Sequence, residues 1–368
     1  MISRLRTLFG FQEVGLVLVV LVMGLALTIF GGTVRQPKLE HGPDGEIRPA
    51  LDAAGNRLFI ERNKFFNPQS LAQLAKDTSF IGIMAVGMAV VIISGGIDLS
   101  VGAIYALAAV LSALALRHYG PTGPGAGLSG VLNIPLALVI CVGVGLLCGL
   151  ANGGLIVGLR MHPFIITLGT MAIFRGIALV ASGGQSIGDF PPQLQNLVKF
   201  QVGDGLTLVP PLVMVLVMAA GWIFLSRLAA GRRVFAVGGN EVAAQYSGIP
   251  VRQVKLGVYL WSGGLAGLAA LLAMGYYGSA SSGDGNGYEL NVVAAAVVGG
   301  SSLSGGRGSA LGAMLGALII QMITTGIIIL GIDQNYSQII TGAVVVAAVV
   351  LDKFNTWLTQ RRLARRAT

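Results

Sequence analysis

Asp98 is the one carboxylate embedded in a mostly apolar stretch, within Gly95-Gly96-Ile97-Asp98-Leu99-Ser100-Val101-Gly102. Acids inside apolar segments of a membrane protein are rare and by default mark proton relays or ion sites. Asp98 and Ser100 also stand where the next helix would begin. That position favours capping and anchoring of a glycine-broken turn, built from Gly95, Gly96, Asp98, Ser100 and Gly102, over a relay. A second run, Leu303-Ser304-Gly305-Gly306-Arg307, has the composition of a phosphate-contacting ATPase signature. Hydrolysis would also need a glycine-rich loop ending in Gly-Lys-Ser/Thr, and no lysine follows a glycine anywhere in the chain. The run is therefore expected to be a turn between helices, with Ser304 as N-cap and Arg307 at the headgroups. No Ser/His, dicarboxylate or metal-ligand cluster has plausible spacing, so neither a catalytic residue nor a metal site is expected. Cys141 and Cys148 lie about 10 Å apart along one helix, too far for a disulfide.

The elements that must hold these residues are apolar blocks. Of 368 residues 54% are apolar and 11% charged, against about 45–50% and about 25% in soluble domains. Val14 to Phe30, Phe80 to Ile97, Leu128 to Leu159, Leu256 to Ser282 and Gly308 to Ile332 carry no charge or, at Asp98's edge, almost none. Spans of roughly 20 apolar residues cross a bilayer. The chain is expected to be an all-α, polytopic membrane protein, a single domain over residues 1–368. Arg4 and Arg6 precede the first block, as in a signal peptide, but its core is too long and lacks a cleavage site, so it is read as a retained span.

About ten segments emerge, near 14–31, 78–95, 100–116, 134–158, 164–182, 208–226, 256–277, 291–303, 308–331 and 336–351, the eighth short enough to be re-entrant. With ten crossings both termini share one side with the loops 159–163, 227–255 and 304–307. That side carries 14 basic groups and 4 acids, the other 9 and 11, with Arg175 inside the fifth segment. Positive charge collects on the cytoplasmic side, so both ends are placed there. The net charge of +9 reports topology and contact with anionic lipid headgroups; without a stacking aromatic platform it does not point to nucleic acid. Lys353 to Arg366 is expected along the inner leaflet.

Turn chemistry in residues 33–66 predicts a small external hairpin, and residues 183–207 a second outer loop with a surface helix at Gln193 to Lys199. Gly95 to Gly102 matches Gly299 to Gly306 at five of eight positions, which suggests an internal repeat. Gly145, Gly149 and Gly153, like Gly308, Gly312 and Gly316, are spaced to share one helix face for close packing. In the cytoplasmic loop 227–255, Asn240 reads as an N-cap, Glu241 suits a helix N-terminus, and Gly248 and Pro250 stop the helix. A two-turn helix with small exposed residues there would suit docking into a partner's groove.

These stretches, with His162-Pro163-Phe164-Ile165-Ile166-Thr167-Leu168-Gly169-Thr170-Met171, Tyr288-Glu289-Leu290 and the last span ending in Asp352, resemble the permease subunits of bacterial ATP-binding-cassette importers for monosaccharides of the ribose, xylose, arabinose and galactose group. The resemblance covers nearly everything from about residue 70 to 352. It implies a multi-pass protein of the bacterial inner membrane with a coupling helix at Gly238, Gly239, Asn240, Ala243, Ala244, Ser247, Gly248 and Ile249. The partners it implies are a sugar-type ATPase subunit, a periplasmic or lipid-anchored binding protein and a second permease copy in a homodimer. ATP and magnesium would bind the ATPase, leaving no cofactor in this chain. The outer insertion near residues 35–64 is longer than the family pattern. Substrate-path candidates in the spans are Asn152, Thr167, Thr170, Gln321, Thr324 and Thr325, each equally able to bond between helices. A stand-alone ion-coupled carrier would have to use Asp98 and Arg175. Related permeases for nucleosides, branched-chain amino acids or signalling furanoses are the nearer alternative.

Overall fold

The computed structural model describes residues 11–350, apart from 38, 42–46, 53–54, 127–129, 203–205, 345 and 348–349. Residues 42–46 and 53–54 of the expected hairpin and the run Lys353 to Arg366 lie outside the described residues. Seven described helices are long and apolar enough to cross a membrane: α1 (Phe11–Phe30), α2 (Pro68–Ile93), α4 (Gly130–Leu159), α5 (Pro163–Ser182), α7 (Val209–Arg227), α10 (Val251–Tyr277) and α12 (Ala310–Ile329). Two shorter apolar helices, α3 (Val101–Arg117) and α11 (Tyr288–Val298), complete the bundle with the helical residues 337–344. Each of the ten expected segments therefore contains a helix among the described residues. At 11 residues α11 is about 16 Å long, too short to span, and a loop of residues 278–287 precedes it.

From Phe80 to Ile93 α2 is apolar on every side, and such a helix must be enclosed by others. It runs through the centre, packed by α10, α12, α7 and α11, and from Thr78 to Ile93 every residue is buried. α10 crosses α4 closely enough that a Cβ on Gly145 or Gly149 would strike the α10 backbone. The first glycine face thus serves packing inside the subunit. In the second, Gly312 and Gly316 lie against the backbone of α11, whereas Gly308 stands before the helix. The N-cap of α12 is Ser309, which accepts from the Gly312 N–H at 3.0 Å, not Ser304 as the sequence suggests. The cap falls later than Ser304 because the turn continues past it, with Gly305 N–H donating to the Ser302 carbonyl and Ser302 N–H to the Arg307 carbonyl.

The strands confined to the outer loops form the expected hairpin and a smaller second one. β1 (Thr33–Pro37) pairs antiparallel with β4 (Phe59–Asn63), from Thr33↔Asn63 to Pro37↔Phe59. β2 (Leu39–His41) pairs with β3 (Ile47–Pro49) inside it. In the second outer loop α6 (Pro192–Val198) replaces the expected Gln193 to Lys199 with nearly the same bounds, followed by the short β5 (Gln201–Val202) and β6 (Leu206–Thr207).

Candidate functional site

On the side carrying the basic loops, α8 (Ala229–Gly239) and α9 (Glu241–Tyr246) fill the connection between α7 and α10. α9 has the predicted limits. The Asn240 carboxamide accepts from the Ala243 N–H at 2.9 Å, and Gly248, at φ +79°, turns the chain so that Ile249 N–H reaches the Ala244 carbonyl. Lys255 Nζ clamps both Glu241 oxygens at 2.7 Å. One expectation needs correcting. Ala244 is buried, and the residues α9 presents outward are large: Val242 is 62% and Tyr246 88% exposed. Ala243, Ser247 and Gly239 are exposed as expected. α8 was not anticipated, because its paired arginines and paired glycines hide the three-residue spacing of Gly231, Val234 and Val237, the residues it buries.

Gly238 has a different place from the rest of this set. A Cβ there would strike the Ile93 carbonyl at the end of α2 and crowd the Gly306 N–H. Gly306 N–H in turn donates to the Ile93 carbonyl at 2.9 Å. The end of α8 therefore touches the end of α2 and the turn between α11 and α12 by bare backbone. A groove of about 970 Å³ opens beside it, with Gly95, Arg160, His162, Glu241 and Lys255 in its wall.

Above this joint the turn 94–100 is held by a buried polar chain. Asp98 is fully buried and its carboxylate accepts from Ser100 N–H at 3.0 Å, from Ser100 Oγ at 2.6 Å and from Ser262 Oγ on α10 at 3.0 Å. Asn152 of α4 donates to Ser100 Oγ at 2.7 Å and accepts from Thr170 of α5 at 2.6 Å. Thr167 and Tyr259 both donate to the Ile97 carbonyl, at 3.3 and 3.4 Å. Ser100 occupies the N-cap position of α3, but its hydroxyl makes no capping bond, since Asp98 and Asn152 claim it. Asn152, Thr167 and Thr170, singled out from sequence for a substrate path, are thus engaged as ties between helices. Gln321, Thr324 and Thr325 lie apart on α12, half-buried, with the Thr324 hydroxyl bonded to its own Ile320 carbonyl.

Asp98 and Arg175 do not meet. Arg175 donates to the Ser282 and Asp284 carbonyls at 2.7 and 2.6 Å and so fastens the loop 278–287 onto α5. That part of the bundle also holds Lys76, buried beside Asp77, which sequence reasoning passed over. The two adjacent charges place the start of the second segment at residue 78, although α2 begins ten residues earlier, at Pro68. A helix continued through a mutually neutralising Lys-Asp pair was the available signal.

Known proteins resemble this chain along most of its length. It is 40% identical over 293 residues to the ribose import permease protein RbsC of Bacillus subtilis (strain 168), a match covering 78% of this chain and 86% of that protein. The D-allose transport system permease protein AlsC of Escherichia coli (strain K12) is 36% identical over 290 residues, 78% of this chain and 85% of its own. The autoinducer 2 import system permease protein LsrD of Escherichia coli O9:H4 (strain HS) is 33% identical over 298 residues, 77% and 86% of the two chains. No solved structure matches significantly. The family model described as branched-chain amino acid transport system / permease component spans residues 70–349, well over half of the chain, and the protein belongs to that permease family.

Proposed function

We propose that this chain is the transmembrane subunit of an ATP-binding-cassette importer of the bacterial inner membrane, and that it translocates a monosaccharide delivered by a binding protein. The observation that carries the reading is α9, a helix of six residues fixed at both ends, exposing Val242 and Tyr246 while its neighbour Gly238 abuts α2 and the α11–α12 turn. A short helix so fixed presents a rigid knob to a partner and passes its displacement inward through packed backbone. The partner is an ATPase subunit that binds ATP and magnesium; this chain contributes no catalytic group. A binding protein engages the opposite face, and a second permease copy together with bilayer lipid covers the apolar residues exposed along α4 and α5, such as Val139 and Val180. The names of the ribose and allose permeases support a sugar cargo.

Reconstitution of the chain with its ATPase and binding protein in vesicles tests this. Val242→Glu and Tyr246→Glu, both on the exposed face, leave insertion and assembly of the seven long spans intact and abolish solute-stimulated ATP hydrolysis. Unchanged stimulation in either variant refutes the docking role of α9. Uphill uptake by the chain alone, driven by an ion gradient, refutes the importer class.

A further inference from the structure

The outer half of the bundle gathers charged and aromatic side chains from five elements that the coupling machinery does not use. On α2 the Lys76 ammonium lies 2.9 Å from Asp77 Oδ1 and 4.1 and 5.3 Å from the ring centres of Tyr276 and Tyr277, at the end of α10. Lys199, just after α6, stands 5.7 Å from the same Tyr276 ring. Phe80, one turn further along α2, meets Tyr277 at 6.0 Å. Across from them Tyr288, at the start of α11, packs on Tyr105 of α3 at 5.5 Å and interacts electrostatically with Asp77 and Asp284. Beside it Glu289 accepts from Gly287 N–H with one oxygen, while its Oε2 is buried without a hydrogen-bond partner among the described residues. Gly102 leaves room for that oxygen, since a Cβ there would crowd it.

Charges at membrane depth cost about 2.5–3.5 kcal/mol each when they face lipid, so they gather around protein partners or a wet passage. A closed core would pair every polar atom. Here one carboxylate oxygen is left over, and the rim is open: Tyr277 is 54% and Leu290 58% exposed. We propose that Tyr277, Tyr288 and Glu289 form the contact site for a neutral polyhydroxylated solute in the outer half of the passage, an inference that rests on the importer reading above; Asp77 is held by Lys76 and by Gln73 at 2.9 Å. Such a solute carries C–H faces that stack on tyrosine rings and hydroxyl groups that donate to carboxylates. An amino acid would need an unclaimed cation for its carboxylate. Lys76 is claimed by Asp77 and two rings, and Arg175 by two carbonyls. That leaves the unpaired Glu289 oxygen and the rings, which suits hydroxyls.

The assembled importer in vesicles, offered D-ribose, D-allose, L-leucine and a nucleoside in turn, tests the site by two readouts. The first is solute moved per ATP hydrolysed. Tyr277→Leu and Glu289→Gln lower it about tenfold for the sugar carried, the factor that 1.4 kcal/mol represents, and Tyr277→Phe restores most of it. A ratio within twofold of wild type in both variants overturns the site. The second readout is labelling of Leu290→Cys by a charged, membrane-impermeant thiol reagent, with Val180→Cys on the outer face of α5 as the control; the native Cys141 and Cys148 are buried. Position 290 reacts rapidly and is slowed severalfold by the solute that is carried. An unreactive Leu290→Cys, or one that no carried solute slows, overturns the site. If the wild-type complex moves leucine alone, both the sugar cargo and this site fall. If it moves nothing at the expense of ATP, the importer reading falls, and the labelling rate at position 290 against position 180 still decides whether this cup lines a wet passage.

Discussion

Two turns at the C-terminal ends of α2 and α11 begin with the same chemistry and finish differently. Each helix is stopped by a glycine in the left-handed region, Gly95 at φ +83° and Gly300 at φ +95°, and each next residue donates back five positions, Gly96 to Val91 and Ser301 to Ala296. Beyond that point the first turn sends α3 away from α2 to pack on α5, α10 and α4, and fills the opened space with the Asp98 chain of hydroxyls and amides. The second folds α12 directly back on α11 through Gly299, Gly312 and Gly316, with backbone against backbone. An opened turn needs polar side chains to satisfy its exposed peptide groups, while a closed one needs only the absence of side chains. The opened turn is therefore specified by many residues and the closed one by few.

This contrast can be broken experimentally, beginning where both turns meet. Gly238→Val pushes a Cβ and its two methyl groups between Ile93 and Gly306 and is expected to prevent assembly of a stable complex, read as loss of the monodisperse peak in detergent. Asp98→Ala strips Ser100 and Ser262 of their acceptor and should cost about 3 kcal/mol, read as a lowered thermal midpoint; Asp98→Asn, which keeps one acceptor, should cost less. Equal midpoints for the two variants would mean that the carboxylate is not the hub of the opened turn. Asn152→Leu cuts two ties, to Ser100 and from Thr170, and should cost about 0.6–1.7 kcal/mol for each. In the closed turn, Ser309→Ala removes only a cap, about 1 kcal/mol, and a larger loss would show that this turn depends on side chains after all.

The echo between Gly95–Gly102 and Gly299–Gly306 illustrates what the sequence could disclose. Aligned by residue type, Gly95 falls on Gly299. Aligned by backbone, it falls on Gly300, because the shared feature is the helix stop and not the residues that follow. The spans were legible since each is set by local hydrophobicity, and α9 since its caps are adjacent in sequence. The tie from Asp98 to Ser262 and the gathering of Lys76, Tyr277 and Tyr288 were not. Asp98 lies 164 residues before Ser262, and Lys76 is far from both tyrosines in sequence with no shared period, so only the packing of α2 and its following turn against α10 and α11 brings them together.

One more consequence follows from the way α1 is fastened. Its inner end is tied where Ser309 donates to Glu13 at 3.0 Å, and its outer end where Asn63 donates to the Thr28 carbonyl at 2.7 Å. Between those two staples it touches the rest through Leu27, Phe65, Leu74 and Met322 and shows Leu18, Leu21 and Leu25 to its surroundings. A helix pinned at both ends cannot tilt to suit its solvent. In a thinner or thicker bilayer the lipid has to deform instead, at fractions of a kcal/mol per ångström, and α1 becomes a gauge of hydrocarbon thickness bolted to the side of the bundle.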